Sequence, residues 1–122
     1  MMTPPQVAKN FLELVAAGKI AEAYDRFVAP DFRHHNPYFE GNASALRQGM
    51  EESVKQFPGK IMEIKHIVTE GDLVVVHSRV QLSPDKALAV VHLFRCVGDR
   101  IVELWDVGQA IPETSINKNG MF

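Results

Sequence analysis

The chain of 122 residues has a single cysteine, Cys96, and so cannot close an internal disulfide. A packed core must hold the fold, and a reducing compartment is the expected setting. Blocks of lysine or arginine are also missing: 13 basic residues against 15 acidic ones leave a net charge of −2 with no concentrated patch. Such a chain has little field with which to hold nucleic acid or an anionic membrane, and neither is an expected partner. No apolar run approaches the roughly 20 residues of a membrane span, and the first residues show no charged region followed by an apolar stretch. A cytoplasmic protein that meets small organic molecules is the expectation.

What is plentiful is apolar residue. With 46% hydrophobic and 23% charged residues, the composition suits one globular domain, residues 1–122, around one core. Thr3-Pro4-Pro5-Gln6 reads as a helix start with a capping box, followed by Val7, Phe11, Leu14 and Val15 at helical spacing and by Gly18 as a left-handed stop. Residues 21–28 make a second short helix ended by Pro30, and Asn42 or Ser44 opens a third bearing Leu46, Met50, Val54 and Phe57, closed by Pro58-Gly59. Between them, residues 31–41 have no helical period and read as an extended segment and loop rich in functional atoms: His34, His35, Asn36, Tyr38 and Phe39. On an extended chain His34 and His35 point opposite ways, so at most one faces inward, and either taken singly also fits a solvated loop histidine.

Strands follow. Residues 61–68 alternate, Gly71-Asp72 is a turn, residues 73–82 are Val-rich, and Ser83-Pro84-Asp85 turns again. Helices first and a meander of strands after them predict an α+β fold, three N-terminal helices packed on one face of an antiparallel sheet. Both strand faces carry apolar residues, and a second copy of the chain is the economical cover for the outer one, which predicts a homodimer through the sheet.

Residues 88–109 read as the last hairpin, around Gly98-Asp99. A two-residue loop sets Arg95 against Val102 and Phe94 against Glu103. A three-residue loop pairs Val97 with Ile101, Arg95 with Glu103 and Phe94 with Leu104. Good cross-strand pairs contribute roughly 0.2–1 kcal/mol each, which favours the three-residue loop. His92 then stands opposite Asp106 with Cβ atoms about 4.5–5.5 Å apart, and Phe94, Leu104, Cys96 and Val102 continue that face as an apolar wall. A carboxylate beside an imidazole in apolar surroundings can act as a general base. It can equally form a buried pair that satisfies itself.

His66 and His77 are set opposite each other by a two-residue Gly71-Asp72 turn. The histidines nevertheless scatter over four segments without ligand spacing, so no metal is expected.

Taken together, His34-His35-Asn36-Pro37, the run from Val91 to Arg95, the run from Gly98 to Val107 and the tail Asn119-Gly120-Met121-Phe122 resemble the SnoaL-like polyketide cyclases of the nuclear transport factor 2-like superfamily. The resemblance implies a cone-shaped fold whose curved sheet encloses a pocket, and cofactor-free aldol chemistry of the lyase or isomerase type. It implies Asp106 as acid/base and His92 as its partner, with Asn36, one of His34 and His35, His77, Phe94, Leu104 and Phe11 around a small carbonyl-containing or apolar ligand. Ketosteroid isomerase shares the fold, but its shuttling aspartate falls on Asn36 and its oxyanion tyrosine on Phe11. Neither residue can do that work. A ligand-binding module without catalysis is the second reading. An epoxide-type hydrolase is the third, and lacks a second carboxylate because Asp72 and Asp85 fall in turns.

Overall fold

The computed structural model describes residues 1–122, in the order α1 (Pro4–Ala16), α2 (Ile20–Phe27), β1 (Val28–His34), α3 (Ala43–Gln56), β2 (Ile61–Glu70), β3 (Leu73–Ser83), β4 (Lys86–Val97) and β5 (Arg100–Ala110). The three helices pack on one face of a five-stranded sheet ordered β1-β5-β4-β3-β2. This is the expected α+β architecture, with two corrections. The chain resumes as a strand directly after α2 and runs through Pro30, where a break at that proline was expected; of residues 31–41, expected as an extended segment and loop, those up to His34 are the extended part. That strand runs parallel to β5, so the sheet is not wholly antiparallel. Pro30 is tolerated because β1 is an edge strand, where a missing backbone donor leaves no ladder bond unmade.

Local chemistry accounts for the helix ends. Thr3 Oγ1 accepts from Gln6 N at 3.4 Å while Gln6 Oε1 accepts from Thr3 N at 2.8 Å, the reciprocal capping box. Gly18, at φ +81°, closes α1 in the left-handed conformation that a side chain resists. Asn42 caps α3 through Oδ1, which accepts from Ala45 N at 2.8 Å.

The core lies between the helices and the inner face of the sheet. Phe11 sits at its centre, edge-on to Tyr24 at 5.6 Å and to Phe94 at 5.9 Å, above Val74, Val76, Ile101 and Leu104. Cys96 is buried here as an apolar filler, and burial pushes its thiol up to about 11.

The last hairpin resolves the choice between loop lengths by combining both. Val97 pairs with Arg100 and Cys96 with Ile101 across a two-residue Gly98-Asp99 turn, with Gly98 at φ +59°. A β-bulge at Val102 then shifts the register, so Arg95 faces Glu103, Phe94 faces Leu104 and His92 faces Asp106. These three expected cross-strand pairs are correct. The expected Val97–Ile101 pair, and the place of Val102 in the apolar wall, are not, because the extra residue sits in the strand rather than in the loop.

On the outer face Glu103 ties three strands together. Its carboxylate accepts from Arg33 Nε at 3.1 Å on β1 and from His35 Nε2 at 2.7 Å just beyond it, and lies 3.6 Å from Arg95 Nε on β4. The bonds from Arg33 and His35 hold its carboxyl below the usual carboxylate range. The C-terminal tail folds back over the same face, with the Phe122 ring 5.5 Å from that of His77 and beneath Lys65.

A depressed carboxyl pKa contributes stability above the unfolded value, about 4.3, and loses it as pH falls through the folded one. Since Arg33 stays largely exposed, screening keeps the effect small. Glu103→Gln is expected to lower unfolding free energy by about 1 kcal/mol at pH 7 in urea titrations, and the gap should close below about pH 4. A gap that persists in acid would assign the loss to packing alone.

Candidate active site

Along β4, and along β5 beyond the bulge, the even-numbered residues point inward, so His92 and Asp106 open into a cavity between the sheet and the helices of about 330 Å³. Most of its wall is apolar: Leu12 and Val15 from α1, Leu46 and Met50 from α3, Phe57, Met62 and Val80, with Leu88 and Val90 next to His92 on β4. At that size it lies near the lower end of ligand sites, and it would hold a small molecule.

The loop after β1 brings the third polar group. His34 is buried, and its two ring nitrogens are both occupied: Nδ1 accepts from Asn36 N at 3.1 Å, and Nε2 donates to the Glu40 carbonyl at 2.5 Å. Those partners define a neutral ring protonated on Nε2. The His34 N–H donates to Gly41 O, and Arg33 bridges to Asn42, so the loop is closed at its base. Within it Asn36 Oδ1 accepts from Tyr38 N at 2.9 Å, an Asx turn that leaves Nδ2 aimed at Asp106, 3.2 Å from both carboxylate oxygens. Asn36 therefore both donates to the carboxylate and fixes its position.

His92 stacks on Phe94 at 5.9 Å, and its Nδ1 is shut away from solvent without a partner. Burial pushes its pKa down to about 4, against the opposing pull of the Asp106 carboxylate. The ring is neutral at physiological pH. The two residues face each other as expected, but Asp106 takes its hydrogen bonds from Asn36.

Other expected site residues are elsewhere. Phe11, Phe94 and Leu104 are fully buried in the core behind the cavity wall and do not line it. His35 turns outward, as strand alternation requires once His34 is inside, and stacks on Trp105 at 4.9 Å beside Glu103. His77 is on the outer face because its inward neighbours on β3 are Val76 and Ser78; its Nδ1 lies 3.0 Å from that of His66, the pairing set by the Gly71-Asp72 turn.

Phe39, one of the loop residues singled out from the sequence, does line the cavity, and two further lining residues, Ser53 and Lys60, escape a reading by motif. Phe39 covers the α3 side, its ring resting where Gly49 has no side chain; a Cβ there would come within 2.5 Å of the ring. Only the fold brings those two together. Ser53 and Lys60 line the far end, with Lys60 Nζ donating to Ser53 Oγ at 2.8 Å. Lys60 shares the parity of Met62 and Ile64, and carrying the strand alternation back one step finds it.

The fold and this cavity define an α+β cone protein with a largely apolar pocket and one carboxylate in its wall. Residues 8–104 match the model of the SnoaL-like domain, and the chain belongs to that family. Among solved structures it is similar to AclR, a candidate hydroxylase from Streptomyces galilaeus (22% identity, 84% of this chain and 86% of that one, TM-score 0.73). It is also similar to an uncharacterized cystatin-fold protein from Novosphingobium aromaticivorans (20%, 88% and 99%, 0.76) and to IdmH, a candidate polyketide cyclase from Streptomyces antibioticus (22%, 88% and 92%, 0.71). At these identities the likeness is one of fold. No curated protein matches the chain. No helix is long and apolar enough to cross a membrane.

Since the folded pKa of His92 lies below its ordinary 6.5, the unfolded chain binds more protons between about pH 4 and 6.5. Stability therefore falls as pH drops through that window, by up to roughly 3 kcal/mol. Denaturation from pH 7 to 4 is expected to show this slope and His92→Leu to flatten it. A resonance assigned to the His92 imidazole that titrates near 6.5 in the folded protein would contradict the assignment.

Proposed function

We propose that the protein removes a proton α to a carbonyl without a cofactor, with Asp106 as the base, in an aldol-type condensation or an isomerisation of a small carbonyl compound. One observation carries this reading: the Asp106 carboxylate projects into a mostly apolar cavity, held by Asn36 Nδ2 at 3.2 Å from each oxygen, beside a neutral histidine. A base must be aimed before it is strong, and the Asx turn at Asn36 supplies the aim.

His92 then serves as hydrogen-bond donor to the enolate oxygen. Its Nδ1 is closed off, so Nε2 is the nitrogen that can reach a ligand, and a neutral Nε2–H can stabilise an oxyanion without giving up its proton first. Proton abstraction by Asp106 forms the enolate and the carboxylic acid. Attack of the enolate carbon on a second carbonyl makes the new C–C bond, and the acid returns its proton to the resulting alkoxide. Asp106 ends as it began.

Around that chemistry we place a second copy of the chain across the outer sheet face. Val68 and Val107 are 60% and 66% exposed there, with Val75, Val91 and Leu93 half-buried between them. Sedimentation at micromolar concentration is expected to give twice the 13.6 kDa of one chain, and a monomer would remove the dimer from this reading.

The deciding measurement for the chemistry is loss of α-protons from β-keto esters and 1,3-diketones in deuterated water. Native protein is expected to accelerate exchange, and Asp106→Asn to slow it by about 10²–10⁴-fold. If neither protein exchanges any compound while one still binds, the protein is a ligand-binding module of the same fold.

A further inference from the structure

Two formally charged side chains line the cavity, and they come from strands set well apart in the sheet. Asp106 is on β5; Lys60 stands immediately before β2, with β4 and β3 between. Three strand spacings, about 14 Å, separate the two strands across the sheet. The ladder adds an offset of roughly 16 Å along them, since Asp106 is level with His92 and Val76 while Ile61, next to Lys60, is level with Gln81. Lys60 is half-buried, and its Nζ donates to Ser53 Oγ at 2.8 Å. No carboxylate stands beside it: burial alone perturbs the amine, and it lowers its pKa. The lysines and arginines that do make ion pairs, Lys9, Arg33, Arg47, Lys65 and Arg95, make them outside the cavity.

An ammonium drawn into an apolar wall without a counter-ion loses hydration and gains little, unless a ligand supplies the missing charge. Ser53 offers one acceptor for three N–H bonds, leaving donors for the cavity. Asp106 cannot neutralise Lys60 from across the sheet, since its oxygens are held by Asn36. We propose that the cavity binds a small keto acid lengthwise, its carboxylate on Lys60 and Ser53 and its enolisable carbonyl at His92 and Asp106.

This rests on the base assignment for the carbonyl end and adds the acidic substrate class. The span sets a minimum length, because the carboxylate and ketone must sit several bonds apart to touch both ends. Phe57, Met62 and Leu88 supply the apolar stretch for the intervening carbons. The carboxylate also gives the ligand one orientation, since turning it end for end would set like charges together at Asp106 and leave Lys60 bare.

Calorimetric titration of 5-oxohexanoate, 7-oxooctanoate and 4-acetylbenzoate against their methyl esters tests the proposal, using native protein, Lys60→Met and Lys60→Arg. Native protein is expected to bind at least one acid tenfold or more tightly than its ester. Lys60→Met should bring that ratio to about one, and Lys60→Arg should keep most of it. Equal or tighter binding of every ester by native protein overturns the proposal, as does an acid preference that survives in Lys60→Met. So does an adduct trapped on Lys60 by borohydride, which would make the amine a nucleophile rather than an anchor. Acid preference in a protein that exchanges no α-protons keeps Lys60 as the anion site and removes Asp106 as base. Exchange without acid preference does the reverse.

Discussion

The register of β4 against β5 is the constraint on which the rest depends. A one-residue slip would turn Asp106 to the outer face and Glu103 into the core, because side chains alternate with a period of two. The bulge at Val102 prevents that slip, letting a tight two-residue turn and the Arg95–Glu103 pair coexist. With the bulge, the apolar turn residues Cys96 and Ile101 stay inside, and the ion cluster two residues further along stays outside. His92 and Asp106 inherit their place in the cavity from that arrangement.

The outer cluster and the cavity are two ends of one device. Glu103 holds Arg33 and His35 from outside, and those residues are adjacent to His34, whose ring braces the Asn36 loop from inside. Asn36 then aims at Asp106, three positions along β5 from Glu103. Loosening the ion cluster would loosen the strand end from which the loop hangs, so a surface interaction of modest energy bears on the geometry of Asp106. His35 adds to this by stacking on Trp105, which explains why two adjacent histidines have separate duties without sharing the pocket.

How much of this could be read from the residues depended on whether the signal was local. Helix caps, turn glycines and strand alternation are short-range, and from them came three helices, the meander, the His66–His77 pair and the facing of His92 and Asp106. The first strand was legible only as an extended segment, because Pro30, Asp31, Arg33 and His34 carry no alternating apolar pattern and nothing local announces the parallel partner β5. The bulge was hidden because it satisfies two rules that exclude each other in a regular ladder. Phe94 and Leu104 have the correct parity for the pocket face, and Phe11 the correct side of α1, but all three have the wrong depth, which is set by where the helices sit rather than by alternation. Phe39 over Gly49 is a contact between segments that neither segment announces.

For Asp106 as the proposed base, having an amide rather than an acid at position 36 decides what kind of base it can be. A carboxylate there would stand at the 3.2 Å now spanned by a hydrogen bond, and two like charges so close force one to keep its proton. Such a pair can relay a proton between two sites. Asn36 removes the rival charge and supplies a donor in its place, so one group must both take the proton and give it back. That suits a condensation, in which the α-carbon loses a proton and the new alkoxide gains one within the same closed cavity. It suits less well a shift of a proton between distant carbons, for which one anchored carboxylate has to reach both. Under the proposed reading, the Asx turn at Asn36 therefore favours condensation over isomerisation.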